Sequence, residues 1–192
     1  MKLLFIIILL SFSINYSFAK DDKCKIEIEK SDISLNWEAF KTPDKVGVKA
    51  WFKELGLEKD EYKGSTIKEA VEGMKFNIDT TSVRSRNAGR DAKLVKFFFG
   101  NMAGQYKIKG HINSYSDKKI VVTLIMNGLA KDIDLKVSQK KDIISAEGVV
   151  DVLEFGMDKS LNELNKACFD LHAGKTWPDV KVILSFKVEK DC

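Results

Sequence analysis

Short runs in which every second residue is apolar fill most of this chain of 192 residues and constrain its fold more than any other feature. Apolar and polar residues alternate between Val180 and Glu189, and again between Met74 and Asp79. This period of two is typical of a β-strand that buries one face. Comparable runs extend over Lys25 to Glu29, Leu35 to Phe40, Val46 to Lys53, Gln105 to Tyr115, Ile120 to Gly128, Ile133 to Ser138 and Ile143 to Val152.

The connections between these runs are short, as at Ser116-Asp117 and Gln139-Lys140. Short connections favour an antiparallel meander over β-α-β units, which need a long crossover. About eight strands suit a barrel, since closure removes exposed sheet edges. The chain has no low-complexity linker, and its length fits one domain. We therefore predict a single all-β domain, an antiparallel eight-stranded barrel with two short helices.

Two segments break the alternation and are predicted to be helices. One covers Asn87 to Phe99, and the other begins near Ser160, where Ser160-x-x-Glu163 forms a capping box. The apolar stripe of the second helix consists of Leu161, Leu164, Cys168 and Leu171. We expect both helices to close an end of the barrel or to pack on its wall. A further capping box at Thr66-x-x-Glu69 predicts one short helical turn.

The first 19 residues have the pattern of a cleaved secretory signal. Lys2 precedes an apolar run from Leu3 to Leu10, and small residues follow at Ser17 and Ala19. An uncleaved membrane anchor is the alternative, but a spanning helix needs about 20 apolar residues. We predict a signal peptide over residues 1–19, cleavage after Ala19, a domain over residues 20–192, and a periplasmic or secreted protein.

Three cysteines lie in the predicted mature chain, and an exported protein can form disulfides. Cys24 precedes the first strand-like run, and Cys192 follows the last. If these two strands are antiparallel neighbours, their ends bring the two sulfurs together. Three pairings are open to the sequence. We expect Cys24–Cys192 and interpret Cys168, on the helical stripe, as a buried free thiol.

The sequence offers no sign of nucleic-acid binding, metal binding or catalysis. The 32 basic and 28 acidic residues are interspersed, whereas a nucleic-acid site needs a clustered basic face. His111 alternates with lysines and is expected to face solvent, and neither it nor His172 has metal-ligand spacing. Cys168 and His172 suggest a Cys–His nucleophile, but the apolar stripe favours a core thiol. We expect no enzyme, no metal and no catalytic residue.

A polar pattern links the strand at Met74 to the helix that ends at Phe99. It consists of Ile78-Asp79-x-x-Ser82-Val83, then Arg90-Asp91-x-x-Leu94, then Phe97-Phe98. This order resembles the YceI-like family, in which an I-D-x-x-S-V strand is followed by R-D-x-x-L and a Phe-rich helix. The stretch from Asn127 to Leu135 is similar to a later hairpin of the family. Two departures, at Lys30 to Leu35 and at Gly104 to Ile108, leave the fold intact and put the identity of the ligand in doubt.

The resemblance implies a secreted, lipocalin-like barrel that holds a long-chain lipid, and it implies binding, not turnover. The ligand would be a polyisoprenoid, a quinone or a fatty-acid-like molecule, with no other cofactor. The implied partners are this lipid and, transiently, a membrane or lipid donor, with the protein a monomer or a homodimer and no nucleic acid bound. The candidate cavity-lining residues are Trp51, Phe76, Ile78, Val83, Leu94, Phe97, Phe98, Tyr106, Ile108 and Trp177.

Two alternatives stay open at this point. The barrel could be filled by its own side chains, which would make the protein a structural or protein-interaction module. The signature residues Asp79, Ser82, Arg90 and Asp91 could contact a head group, but a strand-to-helix turn also needs side chains that satisfy its backbone. We expect the structural role for them, with Asp79 or Asp91 paired to a nearby arginine.

Overall fold

The computed structural model describes residues 24–104 and 106–192, most of which form antiparallel strands. The predicted signal peptide and its cleavage site after Ala19 lie outside the described residues. The strands are β1 Lys25–Glu29, β2 Ile33–Lys41, β3 Val46–Phe52, β4 Leu55–Leu57, β5 Glu61–Gly64, β6 Lys75–Asp79, β7 Val83–Arg84, β8 Lys107–Tyr115, β9 Lys119–Met126, β10 Leu129–Lys140, β11 Ile143–Asp151, β12 Thr176–Lys187 and β13 Glu189–Asp191.

Ten of these strands form one antiparallel sheet that closes on itself. Its order is β4-β6-β8-β9-β10-β11-β12-β2-β3-β7. β4 directly follows β3 in the chain, and β7 directly follows β6 after a short turn. Because β3 pairs with β7 and β4 pairs with β6, the two ends of the strand order are joined and the sheet forms a closed barrel. The predicted all-β antiparallel barrel is confirmed. The predicted count of eight strands is corrected to ten in this sheet, because two of the eight positions around the barrel are each split into two segments.

The break between β3 and β4 faces the break between β6 and β7, and hydrogen bonds join the two. Lys53 N donates to Ser82 O at 3.0 Å, and Glu54 N donates to Ser82 Oγ at 3.2 Å. Ser82 Oγ in turn donates to Asp79 O at 2.7 Å. The seam between β3–β4 and β6–β7 is therefore continuous although the strand pairing is interrupted.

A second sheet of three strands, in the order β13-β1-β5, lies outside the barrel sheet. Lys25 pairs with Asp191, which brings Cys24 and Cys192 together in a disulfide with a Cα–Cα distance of 4.3 Å. The predicted pairing is confirmed, although its strands belong to this small sheet and not to the barrel wall. Cys168 is free and buried, as predicted.

The helices are α1 Ile67–Val71, α2 Ala88–Lys93, α3 Asp158–Ala167 and α4 Phe169–His172. Asn87 caps α2 by accepting from Arg90 N at 2.9 Å, and the helix runs on as a π-helical segment, Leu94–Phe98, and a 3-10 turn, Phe99–Asn101. The second predicted helix is broken at Cys168 into α3 and α4, so Leu171 is 61% exposed and does not extend the buried stripe. Within the described residues, no helix combines the length and the apolar character needed to cross a membrane.

Buried side chains form two clusters at opposite ends of the barrel. One combines the small sheet and α1 with the barrel and includes Ile28, Tyr62 and Val71. The other lies beneath the α2 extension and α3 and includes Phe98, Phe99 and Leu164. The small sheet therefore closes one end, and the helices cover the other.

Candidate functional site

The interior of the barrel contains two adjoining cavities, of about 130 Å³ and about 90 Å³. They share part of their lining and are here called the upper and lower lobes of the lumen. The shared lining residues are Leu35, Ile78, Leu124, Val150 and Val182. Every residue that lines either lobe has an apolar or aromatic side chain. A well-packed core has few voids larger than a water molecule, so this lumen is not an ordinary packing defect.

The upper lobe lies beneath the helices. Phe98 and Phe99, from the extension of α2, close it together with Leu161 and Leu164 of α3. Phe99 packs on Phe52 with ring centroids 5.9 Å apart, and Phe52 packs on Trp37 at 6.1 Å. Because three consecutive aromatic residues on a helix point in different directions, two of them reach the lumen and the third, Phe97, does not.

The lower lobe reaches towards the small sheet. Phe76, Met74 and Leu57 line it. Phe76 pairs with Gly110, where a Cβ atom would collide with the Phe76 ring. Glycine at this position therefore leaves the space that the Phe76 ring occupies.

A third space of about 370 Å³, here called the mouth chamber, lies between the helices and β2–β3. It shares the walls Trp37, Ala39, Leu94 and Leu164 with the upper lobe. Unlike the lumen, it also has polar and charged lining residues. These are Lys41, Asn87, Arg90, Lys93 and His172. An apolar lumen next to a chamber that has both apolar and charged walls is an amphipathic arrangement.

Ser85 fixes the geometry of the chamber on the side of α2. It is 2% exposed, and its N donates to Asp91 Oδ1 at 2.9 Å. Arg90 Nε donates to Ser85 Oγ at 2.8 Å, and Arg90 Nη2 donates to Ser85 O. Arg90 and Asp91 thus meet at Ser85, and the expected pairing of an aspartate with an arginine does not form among the described residues.

The Asp79 carboxylate caps the 3-10 turn Thr80–Ser82, which follows β6. Its Oδ1 accepts from Thr81 N at 2.9 Å and from Thr81 Oγ1 at 2.7 Å. These hydrogen bonds, with a smaller contribution from Lys107, hold the pKa of Asp79 below its ordinary value. The structure thus places Asp79 and Ser82 at the barrel seam, away from the lumen and the mouth chamber.

His172 is half-buried at the edge of the mouth chamber. Its Nδ1 lies 2.9 Å from Thr176 Oγ1. Burial lowers the pKa of His172, and the positive charges of Lys41, Lys93 and Arg90 lower it further.

Six of the ten predicted cavity-lining residues lie on the lumen. Ile78, Leu94, Phe98, Ile108 and Trp177 line the upper lobe, and Phe76 and Ile78 line the lower one. Trp177 lies at a bulge between β12 and β2, and its Nε1 donates to Thr42 O at 2.8 Å. The bulge turns this side chain towards the rim of the barrel.

The other four predicted residues do not line the lumen. Trp51 lies on the opposite face of β3 from Ala50 and Phe52, with the Arg86 guanidinium 6.0 Å from its ring. Val83 is fully buried in the upper core cluster. Phe97 and Tyr106 pack against that cluster from outside, and Tyr106 O accepts from Thr80 N at 2.8 Å.

Several lining residues were not among the predicted ones. Leu35, Trp37 and Ala39 share the inner face of β2, and the alternation of that strand was the signal that could have identified them. Lys41, Lys93 and His172 come from three separate elements, and no local pattern connects them.

Comparison with known proteins agrees with this architecture. The model of the YceI-like domain matches residues 25–188. The chain belongs to the YceI-like domain family. No curated protein sequence matches it.

Solved structures similar to this YceI-like chain have low sequence identity to it. A polyisoprenoid binding domain from Saccharophagus degradans is 14% identical, with a TM-score of 0.56 over 85% of this chain and 98% of that one. BcnA from Burkholderia cenocepacia is 13% identical, with a TM-score of 0.57 over 84% and 99%. The YCEI protein of Campylobacter jejuni is 19% identical, with a TM-score of 0.48 over 76% and 85%.

Proposed function

We propose that this YceI-like protein binds one long-chain lipid of isoprenoid type in its lumen and carries it through the periplasm or the extracellular medium. The observation that carries the proposal is the pair of adjoining apolar cavities inside the barrel, beside a mouth chamber with charged residues in its wall. Each methylene group removed from water contributes about 0.8 kcal/mol, so a long chain binds well with few polar contacts.

The volume of the lumen supports this proposal over a solid structural module. An apolar cavity of this size stays dry and accepts apolar guests, whereas a core that only stabilises the fold would close it. The lining residues have neither carboxylates nor amines, which suits an apolar chain and offers no group for acid–base chemistry. We therefore infer binding and not turnover.

The isoprenoid class is suggested by the S. degradans domain, which is named for polyisoprenoid binding. A quinone with a prenyl tail and a fatty-acid-like molecule are the other candidates for the same lumen. The proposed export is supported by the Cys24–Cys192 disulfide, because such bonds persist in oxidising compartments. Cell fractionation should find the protein outside the cytoplasm, without residues 1–19.

Transient contact with a membrane or lipid donor is part of the proposal. Phe169 and Leu171 on α4 are 64% and 61% exposed, and Leu171 also lines the mouth chamber. Two large apolar side chains at this position suit a brief contact with a lipid surface. Whether the protein acts as a monomer or a homodimer stays a prediction.

The test is a length series of ligands with the mature protein, residues 20–192. Delipidated protein is titrated with prenols of two, four and eight isoprene units, with tryptophan fluorescence and native mass spectrometry as readouts. We expect one prenol per chain and an affinity that rises about tenfold or more with each step in length until the lumen is full. No mass shift with any prenol, together with no lipid on protein isolated from its own host, contradicts the proposal.

A further inference from the structure

The accessible inner surface of the barrel ends above the small sheet. Leu124 of β9 and Val182 of β12 line both lobes and are only half-buried, because the lumen leaves part of their surface free. Further towards the small sheet on the same strands, Ile120 and Phe186 are 0% and 2% exposed and line neither lobe. These two buried residues therefore form a floor beneath the lower lobe.

The small sheet and α1 support this floor from below. Ile28 of β1 and Val71 of α1 are both 0% exposed and belong to the same core cluster as the floor residues. The Cys24–Cys192 disulfide joins the ends of β1 and β13 in this sheet. Close-packed side chains yield little to an inserted group, because extra atoms force strained rotamers. A ligand tail that reaches the floor is therefore stopped there.

Ile133 and Leu184 belong to the lower lobe alone. Both are half-buried and line the lower lobe without lining the upper one. All side chains around this lobe are apolar, so a polar group placed there would lose its hydrogen bonds to water and gain none from them. The lower lobe therefore suits only the hydrocarbon end of a ligand.

The height of the lumen follows from β2. Ala39 lines the upper lobe and Ile33 lines the lower one, six residues apart. Six residues of a strand span about 20 Å, and a strand tilt of about 40° reduces this to about 15 Å along the barrel axis. An extended isoprene unit adds about 5 Å, since it contributes four carbon–carbon bonds of about 1.5 Å each. The lumen therefore holds about three to four units of an extended tail.

We propose that the lower lobe selects the chain length of the ligand: Ile133 and Leu184, above the floor of Ile120 and Phe186, limit the inserted tail to about four isoprene units. This inference rests on the proposed lipid-binding function and adds the length of tail that the lumen accepts. Carbons beyond this length stay outside the lumen and bury little further apolar surface, so they add little affinity. A lumen open at both ends would instead keep gaining affinity as the tail grows.

The first measurement is the affinity of the wild-type protein for prenols of two, three, four, five and eight isoprene units. Delipidated mature protein is used, and competition with one fluorescent prenol places all lengths on one scale. We expect affinity to rise by about tenfold or more from two units to four, and to change by about threefold or less from four units to eight.

Filling the lower lobe should shorten the accepted tail. L184F adds volume in the lower lobe, and its matched control is I183F, because the neighbouring Ile183 lines neither lobe. We expect L184F to reduce the gain from two units to four to about threefold or less, because the longer tail loses its space. The two-unit prenol fits the upper lobe, so its affinity for L184F should stay within about threefold of the wild-type value.

A second variant keeps the test independent of one substitution. I133F fills the same lobe from β10 and should give the same length profile as L184F. Circular dichroism shows which variants are folded, and I133F replaces L184F if the latter is not. We expect I183F to keep the wild-type profile at every length.

The outcomes separate this inference from the function on which it rests. If the wild-type protein binds the eight-unit prenol about tenfold or more tightly than the four-unit one, the floor does not limit the tail and the inference fails, while lipid binding stands. A folded lobe-filling variant with the same length profile as I183F also overturns it. If no prenol of any length binds the wild-type protein, the lipid-binding function itself fails.

Discussion

Glu54 N donates a hydrogen bond to Ser82 Oγ at 3.2 Å, across the seam where β3 and β4 face β6 and β7. Ser82 is 6% exposed, and its hydroxyl also donates to Asp79 O. One side chain thus satisfies backbone groups on both sides of the seam. The spacing of the signature, with Asp79 three residues before Ser82, has a structural explanation in this contact.

Replacing Ser82 should destabilise the barrel. Ser82→Ala leaves Glu54 N and Asp79 O without their partner, and we expect a loss of about 1–3 kcal/mol in the free energy of unfolding. Urea denaturation followed by circular dichroism measures it. Ser34→Ala, on the outer face of β2, is the control and should change stability by about 0.5 kcal/mol or less. Equal stability of the two variants would contradict this role of Ser82.

The Cys24–Cys192 disulfide should contribute strongly to stability. It joins residues 168 positions apart, and cross-links of long loops stabilise by about 2–5 kcal/mol through the unfolded chain. We expect Cys192→Ser to lose this amount in thermal or urea unfolding. Thiol titration of the unfolded, unreduced wild-type protein should find one reactive thiol, Cys168, and reduction should raise the count to three. Three thiols before reduction would show that the disulfide is absent.

Local patterns predicted the strand meander and the short helical turn capped by Thr66, because period-two alternation and capping residues act over a few positions. Alternation did not give the correct face everywhere. In β3, Ala50, Trp51 and Phe52 are all apolar, so the sequence did not tell which of them points inwards. The inner positions are Ala50 and Phe52, and Trp51 was chosen wrongly for the lumen.

Long-range features were not predictable in the same way. The split of the barrel strands depends on a contact between residues 28 positions apart. The mouth chamber brings Lys41 and His172 to Arg90 and Lys93 of α2 only after the barrel closes and α3 packs on the extension of α2. In the sequence, these four residues look like ordinary surface charges.

Stability should depend on pH through His172. Its pKa is lowered in the folded protein, by burial first and then by Lys41, Lys93 and Arg90, so the unfolded chain takes up a proton at higher pH. The free energy of unfolding should therefore fall as pH drops below about 6.5, the ordinary pKa of histidine, and this residue should have no effect above that range. Urea unfolding between pH 5 and 7.5 measures the slope, which His172→Gln should reduce. A slope that is the same in both proteins would assign the pH dependence to other groups.

Contact with a lipid surface should depend on Phe169 and Leu171. The double variant F169S/L171S removes exposed apolar area at the mouth, so we expect slower uptake of a fluorescent prenol from neutral phosphatidylcholine vesicles. L153S is the control, because Leu153 is also exposed, at 40%, and does not line the mouth chamber. Stopped-flow fluorescence gives the rates, and equal uptake by both variants would remove α4 from the transfer route.

Filling the lumen should abolish lipid binding without unfolding the barrel. Val150 lies at the junction of the two lobes and is 5% exposed, whereas its neighbour Val149 faces solvent and is 60% exposed. V150F and V149F therefore make the same chemical change on opposite faces of β11. We expect V150F to weaken binding of an eight-unit prenol by about tenfold or more, because the larger ring occupies space that the ligand needs, and V149F to bind like the wild-type protein. Circular dichroism confirms that both variants are folded, and a folded V150F that binds the prenol with wild-type affinity places the ligand outside the lumen.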